Sequence, residues 1–135
     1  VCMITFNHSA YVAQAIEGIL CQKGPFQIEL VIGDDASTDA TRDVCASYFA
    51  RYPEIIHLLP QGPNMGIMKN FIRTLSICKG KYIAVCEGDD YWIDAGKLNK
   101  QISFMEQNQD FNLCGHEVFL HKNGGLTFEK AGVYP

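Results

Sequence analysis

Twice in this chain a short apolar run ends in adjacent carboxylates: IELVIG leads into Asp34-Asp35, and KYIAVCEG leads into Asp89-Asp90. A strand buried on both faces of a parallel sheet reads as a near-continuous apolar run, and open α/β sheets bind their ligands where such strands end. Two acidic rims in one small domain therefore imply one sheet edge carrying both. Close carboxylates repel when desolvated, so a site that keeps them ionised supplies a cation, which suggests a metal-assisted nucleotide site.

The rest of the chain supports an α/β sheet through its alternation of apolar runs and helical patterns, the signature of βαβ units. VCMITF reads as a first strand. HSAYVAQAIEGILCQ reads as a helix with Tyr11, Ala15 and Ile19, or Val12, Ile16 and Leu20, facing the core, stopped by Lys23-Gly24-Pro25. IELVIG is the second strand, and Ser37 or Thr38 is placed to cap a helix through Tyr52, with Asp39 at the positive end of its dipole. IIHLLP is a third strand, Met65 to Cys78 a helix, YIAVCE a fourth strand, Ala95 to Gln107 an amphipathic helix and FNLCGHEVF a fifth strand. The tail LHKNGGLTFEKAGVYP carries a two-Gly turn that suits a hairpin.

Composition narrows the partners. With 135 residues, 47% of them hydrophobic, the expectation is one soluble domain, 1–135, with a single core and no membrane span. A net charge of −4 argues against general nucleic-acid binding, which needs concentrated Lys and Arg. Six cysteines form no CxxC pair, and Cys2, Cys45, Cys86 and Cys114 sit in apolar or helical runs, so buried free thiols in a reducing compartment are expected. Targeting is not readable, because Val1 opens directly on a strand; the expected location is cytoplasmic, with a peripheral place at the inner face of the membrane open.

Among the candidate site residues, Asp89 and Asp90 offer hard oxygen ligands that suit Mg²⁺ or Mn²⁺, which keep positions open for phosphate oxygens; the alternative is a solvated Gly-Asp-Asp turn. The neighbouring Tyr91 and Trp92 favour the site, since a simple surface turn has little reason to expose them. Asp35, before a helix N-terminus, can accept from a base or ribose, or can close an Asx turn. Gly62, Asn64 and Gly66 mark a loop that can approach a ligand, with Lys69 one helical turn on. Neither GxGxxG nor GxxxxGK[ST] occurs, and His8, His57, His116 and His121 show no metal spacing, although His116 follows a Cys-Gly pair at a strand.

Taken together these elements resemble the nucleotide-binding half of glycosyltransferase family 2, inverting enzymes of GT-A fold. MITFNH resembles the first-strand (P)TYN element, VIGDDASTDAT resembles VVDDGSTDGT, NMGIMKNF resembles NxGxxxARN, and GKYIAVCEGDDYW resembles GEYIxFLDxDD, in order and in register. The resemblance implies a mostly parallel Rossmann-like sheet flanked by helices in three layers. It implies that Thr5, Phe6 and Asn7 border the nucleobase, that Asp35 accepts from base or ribose with Asp34 supporting the loop, and that Lys69 approaches the nucleotide. Asp89 is then directed to the ribose and Asp90 to a Mn²⁺ or Mg²⁺ bridging the two phosphates of a nucleoside diphosphate sugar, UDP-sugar favoured. The chain departs at Ile4, where the family has Pro, and at Glu87, where it has Asp, which leaves open which of three acids meets the metal.

The implied reaction is attack of an acceptor hydroxyl, on a glycan or lipid-linked acceptor, with inversion at the anomeric carbon. The general base is expected after Pro135, in an acceptor-binding part; Glu117, Glu87 and His116 are the nearest acid–base groups. Two other classes fit less well. A receiver-type phosphoacceptor domain needs a lone Asp after the third strand, and IIHLLPQGPN has none. A non-catalytic nucleotide-sugar-binding module would keep Asp35 and Asp90 and lack only the base.

Overall fold

The computed structural model describes residues 1–122 and 125–127. The chain divides into two compact units, Val1–Ile102 and Ser103–Pro135. In chain order the elements are β1 (Cys2–Thr5), α1 (Val12–Leu20), β2 (Leu30–Asp34), α2 (Thr41–Arg51), β3 (Ile56–Leu58), α3 (Ile67–Leu75), α4 (Lys97–Gln107), β4 (Leu120–Lys122) and β5 (Gly125–Thr127).

The first unit is built on a parallel sheet ordered β1-β2-β3, with Thr5 opposite Asp34 and Leu30 opposite Ile56. Alternation along the strands sends their residues to two faces. Met3, Leu30, Ile32 and Ile56 join Val12, Ala15, Ile16, Ile19, Cys45 and Tyr48 of α1 and α2 in one core. Gly33 faces the other way, onto Asn70 and Thr74 of α3. Helices thus cover both faces, giving the three layers of an α/β fold.

Why α1 settles as it does follows from its pattern: Val12, Ala15, Ile16 and Ile19 are fully buried at i, i+3, i+4 and i+7, a combination of the two expected stripes. Tyr11 stays outside, and Gly18 is required because an added Cβ would lie 2.9 Å from the Trp92 backbone. Trp92 is therefore a buried core residue under Lys97, whose Nζ lies 3.9 Å from the ring centroid, rather than an exposed platform beside the acidic turn.

Three further expectations change in this unit. Helix α2 begins at Thr41 with Ala40 as its cap and no side-chain capping bond, because the Ser37 and Thr38 side chains bond Asp34 and Asn7 instead. Asp39 accepts the Thr41 hydroxyl and also the Thr41 amide, the latter at 2.9 Å, and these bonds hold its carboxyl well below the usual carboxylate range. Helix α3 starts at Ile67, two residues late, since the Met65 and Gly66 amides bond Asp35. The YIAVCE segment runs parallel to β1 through Cys2 N–H to Ala84 O at 2.8 Å and Cys86 N–H to Cys2 O at 3.2 Å, but its ladder is a single bridge, Cys2 to Val85. Ile83 and Val85 are 45% and 47% exposed, so little burial enforces a longer strand.

In the second unit FNLCGHEVF is a loop, with Leu113 86% exposed: its apolar residues find no strand to pair with among those described. Of the tail, β4 pairs antiparallel with β5, Leu120 opposite Thr127, and the rest of the expected hairpin, 123–124 and 128–135, lies outside the described residues. No helix among the described residues is long and apolar enough to cross a membrane.

Candidate nucleotide site at the strand ends

The C-terminal ends of β1 and β2 and the segment beside β1 bring Thr5, Phe6, Asn7, Asp34, Asp35 and the Glu87–Asp90 turn to one edge, while Lys69 stands on α3. The Asp35 amide donates to the Thr5 carbonyl at 3.0 Å, and the Gly88 amide donates to the Ile4 carbonyl at 2.9 Å. The end of β1 is therefore clasped between the two acidic turns, which lie two strand spacings, about 10 Å, apart. A single small ligand must be elongated to touch both.

Asp35 is 5% exposed, and its carboxylate accepts the Met65 amide at 2.8 Å and the Gly66 amide at 2.9 Å. Asn64 adds a bond from Nδ2 to the Asp35 carbonyl at 2.9 Å. Gly66 makes this closure possible with φ +85°, a conformation costly for other residues. Asp35 thus braces the glycine loop, each oxygen keeping one further lone pair. Asp34, 2% exposed, accepts the Ser37 hydroxyl on Oδ1, while its buried Oδ2 has no protein partner.

Asn7, at φ +57°, ties the exit of β1 to the β2–α2 loop: its amide donates to Ser37 Oγ at 2.9 Å and its Oδ1 accepts the Thr38 amide at 2.8 Å. Phe6 is 43% exposed beside these turns, and Thr5 is buried with an unpartnered Oγ1. Lys69 is exposed on the first turn of α3.

The second acidic turn is closed by Asp90 N–H to Glu87 O at 3.1 Å, and the Cys86 thiol donates to the Asp90 carbonyl at 3.6 Å. Burial and then the Asp89 and Asp90 charges raise the Glu87 pKa, with His8 opposing. Burial also pushes the Cys86 thiol up to about 12, so it stays protonated and able to donate. The turn sits tightly on β1: a Cβ at Gly88 would lie 2.5 Å from Thr5 Oγ1 and 3.0 Å from His8 Nδ1.

Among the described residues no three His, Cys, Asp or Glu side chains are grouped to hold a metal ion by themselves. A hard cation of the Mg²⁺ or Mn²⁺ type needs only one or two carboxylates and completes its shell with phosphate and water oxygens. Glu87, Asp89 and Asp90 on this turn could supply one or two such carboxylates, not a cage of three.

His8 is the residue that sequence spacing did not nominate. Its Nε2 lies 3.7 Å from Asp89 Oδ2 and its Nδ1 is buried. The signal was its place, directly after the first-strand element, rather than any spacing to another histidine. His116 and Glu117 lie exposed in the second unit, with the His116 ring 2.9 Å from the Glu117 carbonyl.

Comparison with known proteins agrees with this architecture. The profile of Glycosyl transferase family 2 matches residues 1–129. A Mycobacterium tuberculosis protein, Rv1520, is 39% identical over 127 residues, covering 93% of this chain and 37% of its own length. TuaG of Bacillus subtilis, a glycosyltransferase assigned to teichuronic acid biosynthesis, is 30% identical over 138 residues, covering 94% of this chain and 54% of its own. The chain thus spans about half or less of these relatives. Among solved structures, Staphylococcus aureus TarS 1–349 with UDP-GlcNAc superposes with TM-score 0.68 at 22% identity, over 79% of this chain and 30% of that one. The Pyrobaculum calidifontis mannosyltransferase PcManGT with GDP-Man and Mn²⁺ superposes with TM-score 0.69 at 20% identity, over 76% and 30%. The chain belongs to glycosyl transferase family 2.

Proposed function

We propose that this chain is the donor-binding part of a glycosyltransferase that moves a sugar from a nucleoside diphosphate to an acceptor hydroxyl with inversion, in the synthesis of a surface glycan or polysaccharide. The observation that carries the reading is the clasp at the end of β1, with a braced glycine loop on one side and a docked acidic turn on the other. An elongated ligand with a base at one end and two phosphates at the other fits those demands.

In this reading Phe6 and the Asn7–Ser37–Thr38 loop border the base, and Asp35 accepts from a ring N–H through its remaining lone pairs. Uracil offers such an imide donor, whereas cytosine presents a ring nitrogen acceptor there, so a charge-assisted hydrogen bond favours UDP over CDP. Lys69 approaches the phosphates, and Asp89 and Asp90, with Glu87 beside them, offer oxygens to Mn²⁺ or Mg²⁺. The cation, when bound, offsets the charge that develops on the departing diphosphate. Deprotonation of the acceptor needs a general base, a role assigned to none of residues 1–122. The solved relatives that carry UDP-GlcNAc and GDP-Man with Mn²⁺ support a nucleotide-sugar donor without choosing the sugar.

Calorimetry of UDP and CDP, each with Mn²⁺ and with EDTA, tests it. We expect Mn²⁺ to tighten UDP binding, UDP to exceed CDP by roughly tenfold, as one hydrogen bond to a charged group provides, and Asp90→Ala to abolish the Mn²⁺ gain. An Asp90→Ala variant that binds UDP as tightly as the parent in Mn²⁺ overturns the assignment.

A further inference from the structure

We infer that His8 is the positioning residue of the acidic turn, holding Asp89 toward the diphosphate end of the site; this rests on the donor-site reading of Asp89 and Asp90. The case begins with an anchored backbone. The His8 amide donates to Thr41 Oγ1 at 2.8 Å, at the first residue of α2, and its carbonyl accepts the Tyr11 and Val12 amides, both at 2.9 Å, at the start of α1. The starts of two helices therefore fix where the imidazole emerges.

The ring then spans the gap between β1 and the turn. Its Nδ1 edge is buried against Gly88, so close that a Cβ there would stand 3.0 Å away, and its Nε2 edge reaches to 3.7 Å from Asp89 Oδ2. That separation is within ion-pair reach and longer than a hydrogen bond. The His8 side chain is 23% exposed and that of Asp89 48%, so the pair lies at the mouth of the turn rather than inside the core. Thr5, 2% exposed with an unpartnered Oγ1, packs on the same side of Gly88.

The physical need is plain. Glu87, Asp89 and Asp90 repel one another, and although the turn's backbone is tied to β1 through the Gly88 amide, that repulsion favours swinging the half-exposed Asp89 carboxylate into water. The His8 ring, seated against Gly88 with Nε2 within electrostatic reach of the carboxylate, keeps Asp89 directed inward before the ligand arrives. Such pre-organisation appears as affinity, because the ordering is already done when the ligand binds. Removing the ring should therefore cost the metal-assisted part of nucleotide binding and spare the part made by the base loop.

Calorimetry of UDP on the 135-residue chain at one fixed pH, with Mn²⁺ and with EDTA, tests this on His8→Ala, His8→Gln, His8→Phe, Asp89→Ala and the His8→Ala/Asp89→Ala double variant. We expect His8→Ala to weaken UDP about tenfold in Mn²⁺ and less than twofold in EDTA. His8→Gln, which keeps an N–H donor at similar reach, should recover most of the loss, and His8→Phe, which fills the space without a donor, should not. The double variant should be no weaker than Asp89→Ala, since His8 acts through that carboxylate. Equal weakening of His8→Ala in Mn²⁺ and EDTA, a His8→Phe as tight as the parent, or additive losses in the double variant each overturn the inference. Its failure stays distinct from failure of the donor-site reading, which Asp90→Ala reports by keeping the Mn²⁺ gain. If His8→Ala does not fold, the contrast between His8→Gln and His8→Phe decides the question.

Discussion

Ala36 sits at φ +63°, a left-handed conformation that an L residue with a Cβ enters at a cost of about 1–2 kcal/mol. It follows Asp34 and Asp35 directly, and the glycosyltransferase motif that this stretch resembles has Gly at the same place, so the strained position is visible in the sequence once the motif is aligned. Replacement by Gly relieves the strain and adds back-bone freedom to the unfolded chain worth about 0.5–1 kcal/mol, leaving a small net gain. We expect Ala36→Gly to raise the thermal midpoint by a few degrees, about 2–4 °C. A lower midpoint in thermal unfolding would mean that the Ala36 methyl makes contacts worth more than its strain. Other residue-scale features were beyond reach. That Asp35 bonds two backbone amides of a loop thirty positions on, and that His8 meets Asp89, are long-range facts with no local pattern.

At the scale of elements, the close approach of α3 to β2 turns on Gly33. A Cβ there would lie 1.9 Å from Thr74 Oγ1 and 2.9 Å from Asn70 Oδ1, and Asn70 Nδ2 donates to the Gly33 carbonyl at 2.7 Å. Gly33→Ala must push the helix away and break that bond, so we expect a loss of at least about 1–3 kcal/mol in denaturant unfolding. Thr74→Ala in the same chain should recover part of it, because the hydroxyl makes the tightest clash; no coupling between the two substitutions would put the helix elsewhere. Elements enforced by burial were legible: β1, β2 and α1 follow from apolar runs whose side chains are largely buried, β3 follows with Ile56 buried, and α2 and α4 follow with small shifts at their starts. Elements lacking such enforcement misled. FNLCGHEVF alternates as a strand does, yet alternation specifies a strand only when a partner and a second layer take up the apolar side. The caps misled for a related reason, since Ser37 and Thr38 had better partners across space than along the chain.

For the molecule as a whole, the six cysteines are free and unequally placed: Cys21 is exposed, Cys78 and Cys114 are half-buried, and Cys2, Cys45 and Cys86 are buried. Burial raises the last three to about 11, 12 and 12, far from thiolate at neutral pH. Alkylation at pH 7.5 followed by peptide mass spectrometry should therefore modify Cys21 first, and Cys45 only as fast as the fold opens. The three buried thiols lie on β1, on α2 and at the foot of the acidic turn. The last of them bonds the Asp90 carbonyl, so it becomes reactive whenever that turn lifts. UDP with Mn²⁺ should slow alkylation of Cys86 more than that of Cys45, and equal slowing would mean that ligand tightens the whole unit rather than the turn. On the proposed reading Cys86 is an occupancy gauge for the site, readable by mass without label, chromophore or acceptor, and so usable before any donor sugar is named.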